Sequence, residues 1–161
     1  MPEAIVYRAM VPSEASAVSK LILNSFSEFI SSEYTEEGIS EFTKFVAPEA
    51  LKRRITDSHF VQVAELDRKI IGMIEVRDNN HVALLFVDKA YQRHGVAKGL
   101  LQSALADARA ANSELLRVTV NSSRYGVTAY QKFGFRQTGP ERTVNGIAFI
   151  PMAMQLHDED G

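Results

Sequence analysis

The sequence predicts an α+β fold, a mixed sheet of about seven strands covered by helices, and three observations carry that prediction. The N-terminal third repeats its apolar residues at helical spacing. Three short apolar segments joined by turn residues follow it. The remainder alternates helix, strand, helix and strand. No composition shift, repeat or low-complexity tract interrupts the 161 residues, so residues 1–161 read as one domain. A chain of this length can bury roughly 70% of the surface its unfolded form exposes.

Residues 4–8 suit a first strand. Ser13 is a candidate N-cap for a helix whose Val18, Leu21, Ile22, Phe26, Phe29 and Ile30 share one face. A second helix follows Thr35, with Ile39, Phe42, Phe45 and Val46 turned inward. A third opens near Pro48, a residue suited to the first helical turn. Residues 60–65 and 70–76 flank Asp67-Arg68 as a hairpin, and Asp78-Asn79-Asn80 turns into the apolar run 82–87. A long helix then carries Val96, Leu100, Leu101, Ala104, Leu105 and Ala108 on one face. Residues 115–120 form a fifth strand, a short helix ends at Gly134 as a left-handed cap, and residues 135–138 make a sixth strand. Asn145-Gly146 opens a last strand over 147–156, in which Pro151 requires an edge, a bulge or an unpaired position. Residues 157–161 read as a flexible, solvated tail.

Between the apolar run and the long helix stands Gln92-Arg93-His94-Gly95-Val96-Ala97. A strand, a glycine-containing turn and a helix start, in that order, make an anion site. The first N–H groups of a helix have no internal partner, and the aligned peptide dipoles place partial positive charge there. Gly95 and the small Ala97 let a phosphate approach the backbone. The Q-x-x-G-x-A pattern is neither the G-x-G-x-x-G dinucleotide fingerprint nor a P-loop, and neither of those occurs in the chain.

That turn, followed by a strand and the segment VNSSRYGVTAYQKFGF (residues 120–135) with its Y-x-x-x-G-F ending, resembles the GNAT superfamily of acyl-CoA-dependent N-acetyltransferases. The resemblance covers residues 60–156 well and the N-terminal third in its helical character. It implies a twisted, mostly antiparallel sheet, splayed at the central strands so that the pantetheine arm of acetyl-CoA enters the gap. It further implies that main-chain groups near Phe86 and Val87 pair with that arm, and that the backbone from Arg93 through His94, Gly95, Val96 and Ala97 to Lys98 holds the diphosphate. The Gln92 and Arg93 side chains are candidate helpers. The position seven residues before the tyrosine is Ser123, with Asn121 two residues earlier, so both are candidates for the cofactor. Tyr130 falls on the tyrosine that points at the sulfur, and a phenol with a pKa near 10 is protonated at neutral pH and can supply a departing thiolate.

For the base the sequence offers Glu75, near the end of the third strand, with Glu65 and His81 as competitors on neighbouring strands. Phe29, Glu33 and Tyr34 fall in the region that forms the acceptor side of relatives. The expected function is acetyl transfer from acetyl-CoA to a primary amine by direct attack in a ternary complex. The alternative is a non-catalytic acyl-CoA-binding or regulatory module. A homodimer through the last strand is permitted by the apolar face of Ile150, Met152, Met154 and Leu156.

Composition excludes several other classes. The chain holds no cysteine, which removes disulfides, thiolate metal sites and a cysteine nucleophile. A net charge of −2 argues against nucleic acid as a partner. His59, His81, His94 and His157 form no metal-ligand pattern. With neither a secretory leader nor a membrane-length apolar run, the expected location is cytoplasmic, with no membrane partner.

Overall fold

The computed structural model describes residues 4–156, so the tail expected at 157–161 lies outside the described residues. The strands are β1 (Val6–Ala9), β2 (His59–Leu66), β3 (Lys69–Arg77), β4 (His81–Val87), β5 (Arg117–Ser122), β6 (Arg136–Gln137), β7 (Arg142–Val144) and β8 (Ile147–Gln155). The helices are α1 (Ala15–Phe29), α2 (Glu36–Phe45), α3 (Pro48–Arg54), α4 (Val96–Ala111) and α5 (Val127–Phe133). The sheet runs β1-β2-β3-β4-β5-β8-β6, with β7 added to β8, and every pairing except β4 with β5 is antiparallel. One face packs against α1, α2 and α3 through Ile22, Phe26, Leu51 and Met73. The other packs against α4 and α5 through Ile74, Leu100, Ala104 and Phe135.

Turn chemistry fixes the meander. Asp67 (φ 54) and Arg68 (φ 65) occupy the left-handed region, as do Asp78 (φ 53) and Asn79 (φ 58), the geometry of turns whose twist matches that of paired strands. Asn145 (φ 52) and Gly146 (φ 81) repeat it between β7 and β8, so this pair joins two strands. The strand β7, with all three residues exposed, carries no apolar signal and escapes a pattern reading. Pro151 lies opposite Asn121 on β5, and its carbonyl accepts the Thr138 N–H at 2.9 Å. N–H and C=O of one strand residue point to the same side, so its missing donor faces β6, just where that ladder has ended at Gln137.

Two expectations fail locally. Ser13 does not cap α1: a 3-10 turn, Pro12–Glu14, leads into the helix, and the Glu14 carboxylate accepts the Val11 N–H at 2.9 Å. Phe45 does not turn inward. It remains 38% exposed, with the Arg54 guanidinium over its ring 3.7 Å from the centroid. Thr35 does cap α2, its hydroxyl accepting the Gly38 N–H at 3.2 Å, and Pro48 opens α3. The apolar face of β8 lies against the chain's own core, with Met152 at 1% exposure and Ile150, Met154 and Leu156 packed on the same cluster. Among the described residues no helix is long and apolar enough to cross a membrane.

The start of α2 rests on the β7–β8 turn, where the Thr35 N–H donates to the Gly146 carbonyl at 3.0 Å. A Cβ on Gly146 would stand 2.0 Å from Thr35 Oγ1 and 2.6 Å from the Gly38 nitrogen. Left-handed strain of about 1–2 kcal/mol adds to the cost of overpacking. Gly146→Ala is therefore expected to lose about 2–4 kcal/mol in urea denaturation. Gly95→Ala shares the positive φ but meets no atom within 4 Å, and is expected to lose only about 1 kcal/mol.

Candidate active site

The parallel pairing of β4 with β5 lasts two residues, His81 with Thr119 and Val82 with Val120. Beyond them the strands part. Residues 83–87 of β4, and on the other side Val120 of the last pair with residues 121–123 beyond it, line a cavity of about 560 Å³. At the far end of β4 the Asp88 N–H donates to the Ile71 carbonyl of β3 at 2.8 Å. Strand residues alternate sides, so Val87 and Leu85 turn their main-chain groups to the gap while Phe86 turns its own to β3. Of the expected pair, Val87 turns its main chain to the gap and Phe86 does not; Leu85 does. Phe86 contributes to the cavity instead through a ring 6.1 Å from that of Phe42. The Val87 carbonyl is held in place by the Ser25 hydroxyl at 3.2 Å and by Gln92 Nε2 at 3.4 Å.

The cradle follows directly. Arg93 (φ 70) and Gly95 (φ 77) both take left-handed backbone, folding the turn back onto α4. No side chain caps α4, which leaves the first N–H groups of Val96, Ala97 and Lys98 open to a ligand. The space above Gly95 is empty of protein atoms to 4 Å, so an anion could reach those groups. Gln92, Arg93, Gly95, Val96, Ala97 and Lys98 all line the cavity, whereas His94 does not; its ring faces Tyr91 at 6.4 Å. The Gln92 side chain is occupied between Val87 and the Tyr125 hydroxyl, which donates to its Oε1 at 3.0 Å. An uncapped helix, an open glycine and flanking Arg93, Lys98 and Lys132 fit a diphosphate, and the splayed strands fit an extended arm between them.

Asn121 and Ser123 both line the cavity, but they are not equally free. The Ser123 hydroxyl accepts the Gly126 N–H at 3.0 Å and so closes the turn into α5. Among the described residues, the Asn121 amide has no hydrogen-bond partner. Tyr130 stands on α5 with its ring in edge contact with Phe133 and Phe135, at 6.2 and 5.3 Å. A Cβ on Gly126 would stand 3.4 Å from that ring, so the glycine gives it room. Burial pushes the Tyr130 phenol up from its ordinary pKa, and among the described residues its hydroxyl has no hydrogen-bond partner.

The acids behave differently from expectation. Glu75 is wholly buried on the α3 side of the sheet and does not line the cavity. Arg54 grips it in a fork, Nε to Oε2 at 2.6 Å and Nη2 to Oε1 at 2.9 Å, and His59 Nδ1 lies 2.6 Å from Oε2. The geometry makes Glu75 a structural anion rather than a base facing an acceptor. Glu65 is taken by Arg8 at 2.7 Å. His81 is buried against the Thr119 hydroxyl at 2.7 Å, and burial pushes its pKa down to about 4. Glu33 lies outside the lining; its carboxylate accepts the Arg124 and Tyr125 N–H groups at 2.7 and 3.2 Å, tying α1's end to the α5 turn. Phe29 and Tyr34 do line the cavity, joined by Phe42, Ser25 and Tyr125, which sequence reasoning missed. Phe42 had a visible apolar signal, but it read as core. Nothing in the pattern around Ser25 or Tyr125 reveals that the fold brings them to the gap. Among the described residues, no aspartate or glutamate lines this cavity.

Comparison with known proteins places these features in context. Residues 30–156 match the family model described as an acetyltransferase (GNAT) domain. N-acetyltransferase 8 of Homo sapiens is 32% identical over 87 residues, 48% of this chain, and the match spans only 38% of that relative's length. A GCN5-related N-acetyltransferase from Rhodopseudomonas palustris superposes with a TM-score of 0.82 at 19% identity, covering 97% of this chain and 98% of that one. The PaiA N-acetyltransferase of Thermoplasma acidophilum, solved in complex with coenzyme A, gives 0.80 at 19% identity over 96% of this chain and all of that one. At such identities the two structures establish a shared fold.

Removing the Glu75 carboxylate would leave the half-buried Arg54 and His59 without their anion. Glu75→Ala is expected to cost about 3 kcal/mol in urea unfolding, while the folded fraction retains coenzyme A binding by calorimetry.

Proposed function

Because the chain belongs to the GNAT acetyltransferase family, we propose that it moves the acetyl group of acetyl-CoA to a primary amine by direct attack in a ternary complex. The observation that carries the reading is the Tyr130 hydroxyl, without a protein partner among the described residues, in the same cavity as the uncapped start of α4. Bound acetyl-CoA supplies an activated acyl carbon and a sulfur leaving group.

The chain's own residues supply the rest. Open N–H groups at Val96 to Lys98 hold the diphosphate end, and main-chain groups of Leu85 and Val87 orient the extended arm. Apolar surroundings disfavour a charged ammonium, so the acceptor nitrogen is held neutral without a neighbouring carboxylate. As the N–C bond forms and the C–S bond breaks, the Tyr130 phenol donates its proton to sulfur. The surplus proton on nitrogen leaves to water, from which the phenolate is refilled. A phenol whose pKa is raised by burial stays protonated across the working range.

Tyr130→Phe tests the assignment. Acetyl-CoA should bind within twofold of wild type by calorimetry, while kcat falls about 10²–10⁴-fold in a thiol-release assay. Unchanged kcat would remove Tyr130 from the reaction, and no heat with coenzyme A in the wild type would remove the proposal itself. The pH profile offers a second check. With no carboxylate base, log kcat/KM should rise with unit slope toward the acceptor's own pKa. With the phenol raised, it should show no descending limb below about pH 10.

A further inference from the structure

The acceptor end of the cavity has a defined chemistry. Phe29, Ile30, Tyr34, Phe42, Phe86 and Tyr125 line it. Several of these rings already engage one another: Phe29 stacks on Tyr125 at 4.8 Å, and Tyr34 meets Phe42 edge-on at 6.0 Å. Tyr125 remains 49% exposed at the cavity, so its ring is accessible from solvent. Among the described residues the Tyr34 hydroxyl has no hydrogen-bond partner, which leaves one polar group free within an aromatic wall.

Charge points the same way. The ionisable side chains lining the cavity are Arg93, Lys98 and Lys132, with the phenols, and there is no acid among the described lining residues. Carboxylates close in sequence to lining residues or on the adjoining strand are engaged elsewhere: Glu33 with two backbone N–H groups, Glu28 with Lys89, Asp88 with the Ala90 N–H and Lys69, and Glu75 with Arg54 and His59. Those three cations flank the diphosphate cradle, and a second ammonium on an acceptor would find no carboxylate counter-ion among the described lining residues. Desolvating it without a partner is costly.

We infer that the acceptor is a primary amine carried on an aromatic or bulky apolar body, with no second cationic group. Diamines, polyamines and lysine-rich peptides are excluded by the same wall. The inference rests on the transferase reading and narrows it.

The experiment compares 2-phenylethylamine with 1,4-diaminobutane and spermidine at saturating acetyl-CoA, following thiol release. The expected kcat/KM is at least tenfold higher for 2-phenylethylamine. Equal or faster turnover of the diamine or spermidine would overturn the inference while leaving the transferase reading intact. Phe29→Glu, which places a carboxylate at the aromatic wall, should narrow the ratio by several-fold; an unchanged ratio counts against the wall as its source. Calorimetry with protein saturated by coenzyme A reads the preference without turnover. Here 2-phenylethylamine should bind more tightly than the diamine, and the reverse order would overturn the inference. Turnover with none of the three amines, alongside intact acetyl-CoA binding, would overturn the inference, whereas absence of acetyl-CoA binding would end the transferase reading.

Discussion

The parting of β4 from β5 after two paired residues is the constraint on which the site depends. A sheet edge buried inside a protein ordinarily leaves unsatisfied main-chain groups, which are costly. Here the edge of β4 opens onto a cavity, and Val87 is steadied by the Ser25 hydroxyl and the Gln92 amide. The same divergence sets the turn after β4 against the turn after β5. It thereby brings the uncapped end of α4 and the Tyr130 ring into one space, though they come from different parts of the chain.

The two faces of the sheet divide the labour. On the side of α1, α2 and α3 the buried charge of Glu75 is fully engaged by Arg54 and His59, whose partners close the fork from both ends. Arg54 also donates to the Phe45 carbonyl at 2.6 Å and lies over the Phe45 ring, so one guanidinium joins β3, α2 and α3. An anion so thoroughly held stabilises an arrangement rather than exchanging protons with a ligand. The aromatic wall beside it is thus left without ionised acids, and its chemistry is that of desolvation and ring contact.

Much of the fold was legible in the sequence because its signals are local. Helical spacing, Pro48, Thr35 and the paired turn residues each act within a few positions. The uncapped start of α4 was legible for the same reason, since a helix start after a glycine turn is written in six consecutive residues. What escaped depends on distance through space. Glu75 looks available on a strand, and only α3, folded across it, supplies Arg54. His81 looks like an exposed strand start, yet Thr119 covers it. Phe86 and Leu85 differ in role only through the direction of their main chain, which pairing with β3 decides. Tyr125 reaches the site because β5 turns toward Gln92, a fact absent from any window of sequence.

The contact of Gly38 with Gly146 carries a practical consequence. Hairpin tips are usually where a protein accepts an inserted loop, a label or a permuted terminus. The tip at 145–146 is closed to such grafting, since helix α2 begins directly against it. The tip at Asp78-Asn79, where Asp78 is exposed, lies at the opposite end of β3 and β4 from the β4–α4 turn, and is where a fluorophore or affinity handle can be attached with the reaction cleft undisturbed.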